Sequence, residues 1–181
     1  MPDTLLIVDD NPVDRKILEG VLKKEEYDLV VAGDGEAALT AVEQQHPDLV
    51  LLDVVMPGLS GYEVCDRLKA NAETAEIPVL FLSSLAEAKD KVKGLNAGGL
   101  DYISKPFDTE EVLARVRSHL ELIHLNRDLQ RANRELETRQ NQMEKDLEAA
   151  AAIQRTLLPR RKASIGTVDM AWKFLPCETV G

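Results

Sequence analysis

Val50-Leu51-Leu52-Asp53-Val54-Val55-Met56-Pro57-Gly58 is the stretch from which the fold of this chain can be read. With Leu49 it opens as an apolar run without polar alternation, as expected of a short strand covered by helices on both faces of a parallel sheet. Asp53 stands where that strand ends. Pro57 fixes φ and Gly58 tolerates positive φ, so the chain leaves the sheet in a turn just afterwards. Asp53 is therefore expected at the carboxyl edge of a buried strand, where open α/β sheets place their ligands. A second run, Thr4-Leu5-Leu6-Ile7-Val8, ends in Asp9 and Asp10. If the two runs are neighbouring parallel strands, three carboxylates converge, and their repulsion calls for a counter-charge. Mg²⁺ suits such a site, because it takes hard oxygen ligands and keeps waters for a phosphoryl partner. Lys105, at the end of another expected strand, supplies a basic group.

Composition narrows the class. The 181 residues are 44% hydrophobic, enough for one domain with a real core plus an extension. No segment approaches the roughly 20 apolar residues that span a bilayer, and Met1-Pro2-Asp3 lacks the basic region of a signal peptide, so a cytoplasmic location without membrane contact is expected. Cys65 and Cys177 match neither a disulfide framework nor a zinc spacing and read as packing or surface thiols. His46, His119 and His124 show no metal spacing and read as surface residues. Residues 1–118 hold 23 acidic and 12 basic side chains and the remainder 9 and 10. An acidic front half argues against nucleic-acid binding there, since phosphate contacts need clustered cations.

Taken in order, Asn11-Pro12 opens a helix whose stripe is Val13, Ile17, Leu18, Val21 and Leu22, ending near Lys24. Residues 27–32 read as a strand, broken by Gly33-Asp34-Gly35 before a helix carrying Ala37, Ala38, Ala41 and Val42. His46-Pro47-Asp48 leads into the strand of Asp53. Ser60-Gly61 begins a third helix with Tyr62, Val64, Cys65 and Leu68 inward. Val79-Leu80-Phe81-Leu82 is a strand presenting Ser83-Ser84, a polar helix is expected over 86–95, and Asp101-Tyr102-Ile103-Ser104 is a last strand ending in Lys105-Pro106. Five strands alternating with helices imply a doubly wound parallel sheet, because parallel neighbours need crossovers.

Residues 1 to about 120 resemble a response-regulator receiver domain: Asp9-Asp10, Asp53 with Met-Pro-Gly after it, Ser83, Tyr102 and Lys105-Pro106 all occur in that family's order and spacing. The resemblance implies an α/β flavodoxin-like five-stranded sheet in the order 2-1-3-4-5, taking a phosphoryl group from a sensor histidine kinase in a two-component phosphorelay. Asp53 would be the nucleophile and phosphoacceptor, forming an acyl phosphate. Asp10 and Asp53, with the backbone carbonyl of Val55, would hold Mg²⁺, and Asp9 would act through water. Mg²⁺ and Lys105 would neutralise the phosphoryl oxygens. Ser83 would turn toward the phosphoryl group and Tyr102 would move into the space left, as in the family's switch. The family makes the Lys105-Pro106 bond cis. Neither Val55 nor Leu85, positions that vary in the family, can orient an attacking water, so slow self-dephosphorylation is expected.

Between Phe107 and Leu158 there is neither Gly nor Pro, and Asp108 with Glu111 makes a capping-box-like start to a helix of some 50 residues, roughly 75 Å long. Leu122, Leu129, Leu136, Met143, Ala150 and Leu157 recur every seven residues, with Leu125, Ala132 and Ile153 three later. Arg139 and Asp146 interrupt the second track. This heptad predicts a coiled-coil extension over 121–158, most simply a parallel homodimer, whereas one helix packed on another domain is the alternative. Residues 147–159, ending Ala-Ile-Gln-x-x-Leu-Leu-Pro, resemble with the strand expected from Val168 the leading edge of a PPM-type serine/threonine phosphatase domain. That family's metal-binding aspartates lie beyond a glycine such as Gly181, so 159–181 are expected to be only the start of that output domain, without its chemistry. Arg160-Arg161-Lys162 reads as a solvated linker. Two other outputs compete: a stand-alone phosphorelay or scaffold receiver with an interaction helix, and a DNA-binding regulator. The second is disfavoured because 107–181 show no helix-turn-helix pattern and little net positive charge.

Overall fold

The structure, a computed structural model, describes residues 2–84, 98–157, 162–165 and 168–171. The chain divides into two compact units, Met1–Leu125 and Asn126–Gly181. In the first, β1 (Thr4–Val8), β2 (Asp28–Ala32), β3 (Leu49–Asp53), β4 (Val79–Ser83) and β5 (Asp101–Ser104) alternate with α1 (Pro12–Leu22), α2 (Gly35–Gln45) and α3 (Gly61–Ala70). A long helix, α4 (Thr109–Leu157), begins there. The sheet is parallel, in the order β2-β1-β3-β4-β5, which is the flavodoxin-like arrangement expected. The helix expected over 86–95, and Leu85, lie outside the described residues.

Alternation along each strand divides the core between the two sheet faces. Leu5, Ile7, Leu49, Leu51, Leu80, Leu82 and Ile103 pack with Leu18, Val21 and Leu22 of α1 and Val112, Val116 and Leu120 of α4. On the other face Leu6, Val8, Val50, Leu52 and Phe81 meet Ala38, Val42, Val64, Cys65 and Leu68 of α2 and α3. Each fully buried leucine contributes roughly 2 kcal/mol of transfer free energy, so β1, β3 and β4 fix the sheet. Cys65 is wholly buried, and burial first, with the Asp66 charge behind it, pushes its thiol up to about 11.

Two local expectations are corrected. Val13 and Ile17 are exposed and only Leu18, Val21 and Leu22 of the expected stripe are buried. The core therefore lies on the face that carries 14, 18, 21 and 22, a rotation the apolar count alone does not reveal. α1 also stops at Leu22 and gives way to a 3₁₀ turn, Lys23–Glu25, closed by left-handed Glu26. α4 starts as expected: Glu111 N–H donates to Asp108 Oδ1 at 2.9 Å.

In the second unit the chain is helical to Leu157, and β6 (Lys162–Ile165) pairs antiparallel with β7 (Val168–Ala171). The strand expected from Val168 is present in β7. Lys162, by contrast, belongs to a strand rather than to a linker. No helix among the described residues is long and apolar enough to cross a membrane.

Candidate active site

Strand alternation assembles the site. Ile7, Leu51 and Ile103 face α1, and continuing by two residues along each strand places Asp9, Asp53 and Lys105 on that same side of the sheet edge. The Lys105 Nζ lies 2.6 Å from Asp9 Oδ2 and 2.7 Å from Asp53 Oδ2. Its backbone is held at the edge by the Lys105 N–H donating to Ser83 O at 2.9 Å, and the Lys105-Pro106 bond is cis. Asp9 is fixed by the Asn11 N–H, which donates to its Oδ1 at 2.9 Å, and by Arg15, whose guanidinium donates to its carbonyl. Asp53 Oδ1 accepts the Val55 N–H at 3.3 Å, in the turn that Gly58 closes with φ +79°. Gly61, at the start of α3, comes back against Asp53: a Cβ there would lie 2.2 Å from the Asp53 carbonyl oxygen.

The charges are uneven. Burial raises the Asp53 carboxyl above the usual carboxylate range, and its bond to Lys105, the largest opposing effect, does not fully offset this. Burial would lower Lys105, but hydrogen bonds and charge from Asp53 and Asp9 outweigh it and hold the ammonium above its ordinary value. Asp9, Asp10 and Asp53 each offer an oxygen within 4.8 Å of the others, Asp10 being exposed and the other two buried. Three carboxylates with one open side are a donor set that fits Mg²⁺, which keeps waters and needs few protein ligands.

The chain matches the response regulator receiver domain over residues 5–117. It belongs to that family. The DNA-binding dual master transcriptional regulator RpaA of Synechocystis is 42% identical over 116 residues, covering 64% of this chain and 48% of its own length. The DNA-binding response regulator MtrA of Mycolicibacterium smegmatis is 43% identical over 120 residues, 66% of this chain and 51% of its own. This chain thus spans about half the length of the curated relatives it matches. Among solved structures, the receiver domain of a sensor histidine kinase from Pseudomonas aeruginosa, with magnesium coordinated in its active-site cleft, superposes with TM-score 0.62 at 29% identity, covering 67% of this chain and 99% of that one. The Francisella response regulator 1452 receiver domain gives TM-score 0.62 at 28% identity, covering 66% and 97%. The chain is a receiver domain of a two-component response regulator with a helical continuation.

Within this receiver, Ser83 is buried at the end of β4, opposite Ser104 of β5. The Tyr102 ring is also buried, 5.3 Å from the Phe81 ring, which Tyr62 meets edge-on at 5.2 Å. Asp101, just before Tyr102, accepts from Arg115 of α4, and His119 Nε2 lies 3.2 Å from its Oδ2. These bonds and the Tyr102 N–H overcome burial and hold the Asp101 carboxyl below its usual range. His119 is thus half-buried and tethered rather than a plain surface residue, and His124 contacts Asp3 at 2.8 Å. Val55 is 59% exposed, and no donor on its side chain faces the site.

Of the heptad residues, Leu122, Leu125, Leu129, Leu136, Met143 and Ile153 are each 57–60% exposed, Ala132 and Ala150 are exposed, and the helix backbone continues through Leu157. Sequence reasoning missed Asp14, whose Oδ2 lies 3.2 Å from Lys105 Nζ, and Arg15. Asp14 precedes buried Leu18 by four residues, but only the observed rotation of α1 shows that this is the inward face.

Proposed function

We propose that this receiver accepts a phosphoryl group on Asp53 from a sensor histidine kinase, and that α4, paired with a second copy over 121–158, passes the change to a PPM-type phosphatase output of which 159–181 form the leading edge. The observation that carries the first part is the Lys105 ammonium held between Asp53 and Asp9, with Asp10 beside them. An Asp53 oxygen attacks phosphorus as the P–N bond to the donor imidazole breaks; the electron pair leaves with that nitrogen, and because the other ring nitrogen of the phosphohistidine carries a proton the imidazole departs neutral. Lys105 turns an N–H toward a phosphoryl oxygen and neutralises part of its charge. Mg²⁺, held by Asp10, Asp53 and the Val55 carbonyl with Asp9 acting through water, would supply the rest of that neutralisation. Ser83 then turns toward the phosphoryl oxygen and the Tyr102 ring moves into the space left, which alters the surface of β5 and of the helix expected over 86–95. Acid-labile label from acetyl phosphate that appears with Mg²⁺ and not with excess chelator tests this; label insensitive to chelation would refute it.

Slow decay of the aspartyl phosphate follows from Val55 and Leu85, neither of which can align water. The expected half-life in Mg²⁺ is minutes to hours, on a phosphate-affinity gel; decay within seconds would show that some other group positions the attacking water.

The second copy is supported by the row of large apolar side chains left open on a helix whose other positions are mostly polar or charged. Replacing Leu129 and Leu136 together with Asp should convert a dimer to a monomer by light scattering while leaving phosphorylation of Asp53 intact, and a wild-type monomer at tens of micromolar would remove the pairing. The phosphatase output is supported by the Ala-Ile-Gln-x-x-Leu-Leu-Pro helix end followed by strands β6 and β7. A transcriptional output is the second reading, because RpaA and MtrA are named as DNA-binding proteins, although their likeness to this chain spans only about its first two thirds.

A further inference from the structure

Both α1 and α3 carry an acid at the third helical position, and the two are used differently. At α3, Glu63 accepts the Ser60 N–H at 2.9 Å while the Ser60 side chain accepts the Glu63 N–H, a complete capping box. At α1 the corresponding acid is Asp14, but the Asn11 N–H that it would bind already donates to Asp9. Asp14 faces Lys105 instead, 91 positions along the chain, with Oδ2 3.2 Å from Nζ.

An ammonium has three N–H groups, and here three carboxylates surround it. The contacts with Asp9 and Asp53 are shorter, at 2.6 and 2.7 Å, and the Asp9 side chain is wholly buried whereas Asp14 is 23% exposed. When a phosphoryl oxygen arrives, Lys105 must give up one partner. Releasing Asp9 would strand a buried charge, which is costly, while Asp14 can turn to water. Asp14 is the exchangeable partner.

We propose that Asp14 restrains phosphoryl transfer through Lys105, occupying the third side of the ammonium, which Asp9 and Asp53 already hold, until the incoming phosphoryl oxygen displaces it. This rests on Asp53 being the acceptor. Asp14 also adds a fourth negative charge to Asp9, Asp10 and Asp53, so it opposes the approach of an anionic donor as well as competing for the lysine. A mere first-turn acid favoured by the helix dipole would alter stability and leave donor kinetics alone.

The test is the full chain titrated with acetyl phosphate at fixed Mg²⁺, as wild type, Asp14→Asn and Asp14→Glu, with phosphorylation read on a phosphate-affinity gel. Asp14→Asn is expected to lower the half-saturating donor concentration roughly tenfold with little change in the maximal rate, an effect of one nearby unit charge on a dianion that shrinks in high salt. Asp14→Glu should restore wild-type half-saturation. An unchanged or higher half-saturation in Asp14→Asn, or Asp14→Glu behaving like Asp14→Asn, overturns the proposal while leaving Asp53 as acceptor. Equal labelling of Asp53→Asn removes both readings at once.

Discussion

Asp53→Asn is expected to lose phosphorylation from acetyl phosphate by at least about a thousandfold, because an amide has neither the charge nor the lone-pair basicity to attack phosphorus. The same substitution should make the protein more stable. The Asp53 proton is held more tightly in the fold than in the unfolded chain, burial being the main cause. A carboxylate whose folded pKa is raised costs stability wherever it is ionised, and the cost vanishes once both states are protonated. The gain in Asp53→Asn is therefore full near neutral pH and fades as the pH drops through the folded and then the unfolded pKa of that carboxyl. Melting curves of both proteins at neutral and acid pH measure it. A lower melting temperature for Asp53→Asn at neutral pH would mean that the bond to Lys105, rather than desolvation, dominates.

Gly61→Ala is expected to be the most damaging single methyl addition near the site. The new Cβ would sit 2.2 Å from the Asp53 carbonyl oxygen, 2.9 Å from its carbon and 3.0 Å from the Val54 Cα, all backbone atoms that cannot rotate away. Gly61 also donates its N–H to Val54 O at 3.0 Å, so α3 cannot retreat without losing that bond. Relief by moving the chain should cost about 3 kcal/mol, or roughly 10 °C in melting temperature for a unit of this size. Phosphorylation should slow as well, since the displaced backbone carries Asp53. Gly58→Ala, at a positive φ but with open space around it, is the control and should cost less. A Gly61→Ala protein that melts within a degree of wild type would show that the close approach is not binding on the fold.

How much was legible depended on what each signal measures. The strands were readable because β1, β3 and β4 are unbroken apolar runs, a pattern only a sheet covered on both faces tolerates. Asp9 and Asp53 were readable because each stands where such a run stops, and Lys105 because it ends the last expected strand in Lys-Pro. Asp14 was not, because an acid in the first turn of a helix has an adequate local explanation, and only the rotation of α1 shows that it faces the sheet edge. That rotation was misjudged for the same reason: Val13 and Ile17 are apolar yet exposed. The β6 strand was missed because Arg160-Arg161-Lys162 reads as solvated, whereas strand pairing is decided by the backbone.

Cys65 lies on the inner face of α3 with its thiol shielded from solvent and kept protonated. Alkylating agents attack thiolates, so in the intact fold this sulfur is silent twice over. Its slow reaction with iodoacetamide, read at Cys65 by peptide mapping, would then time how often α3 lifts from the sheet, giving the opening free energy of the element that buttresses Asp53 without any engineered label.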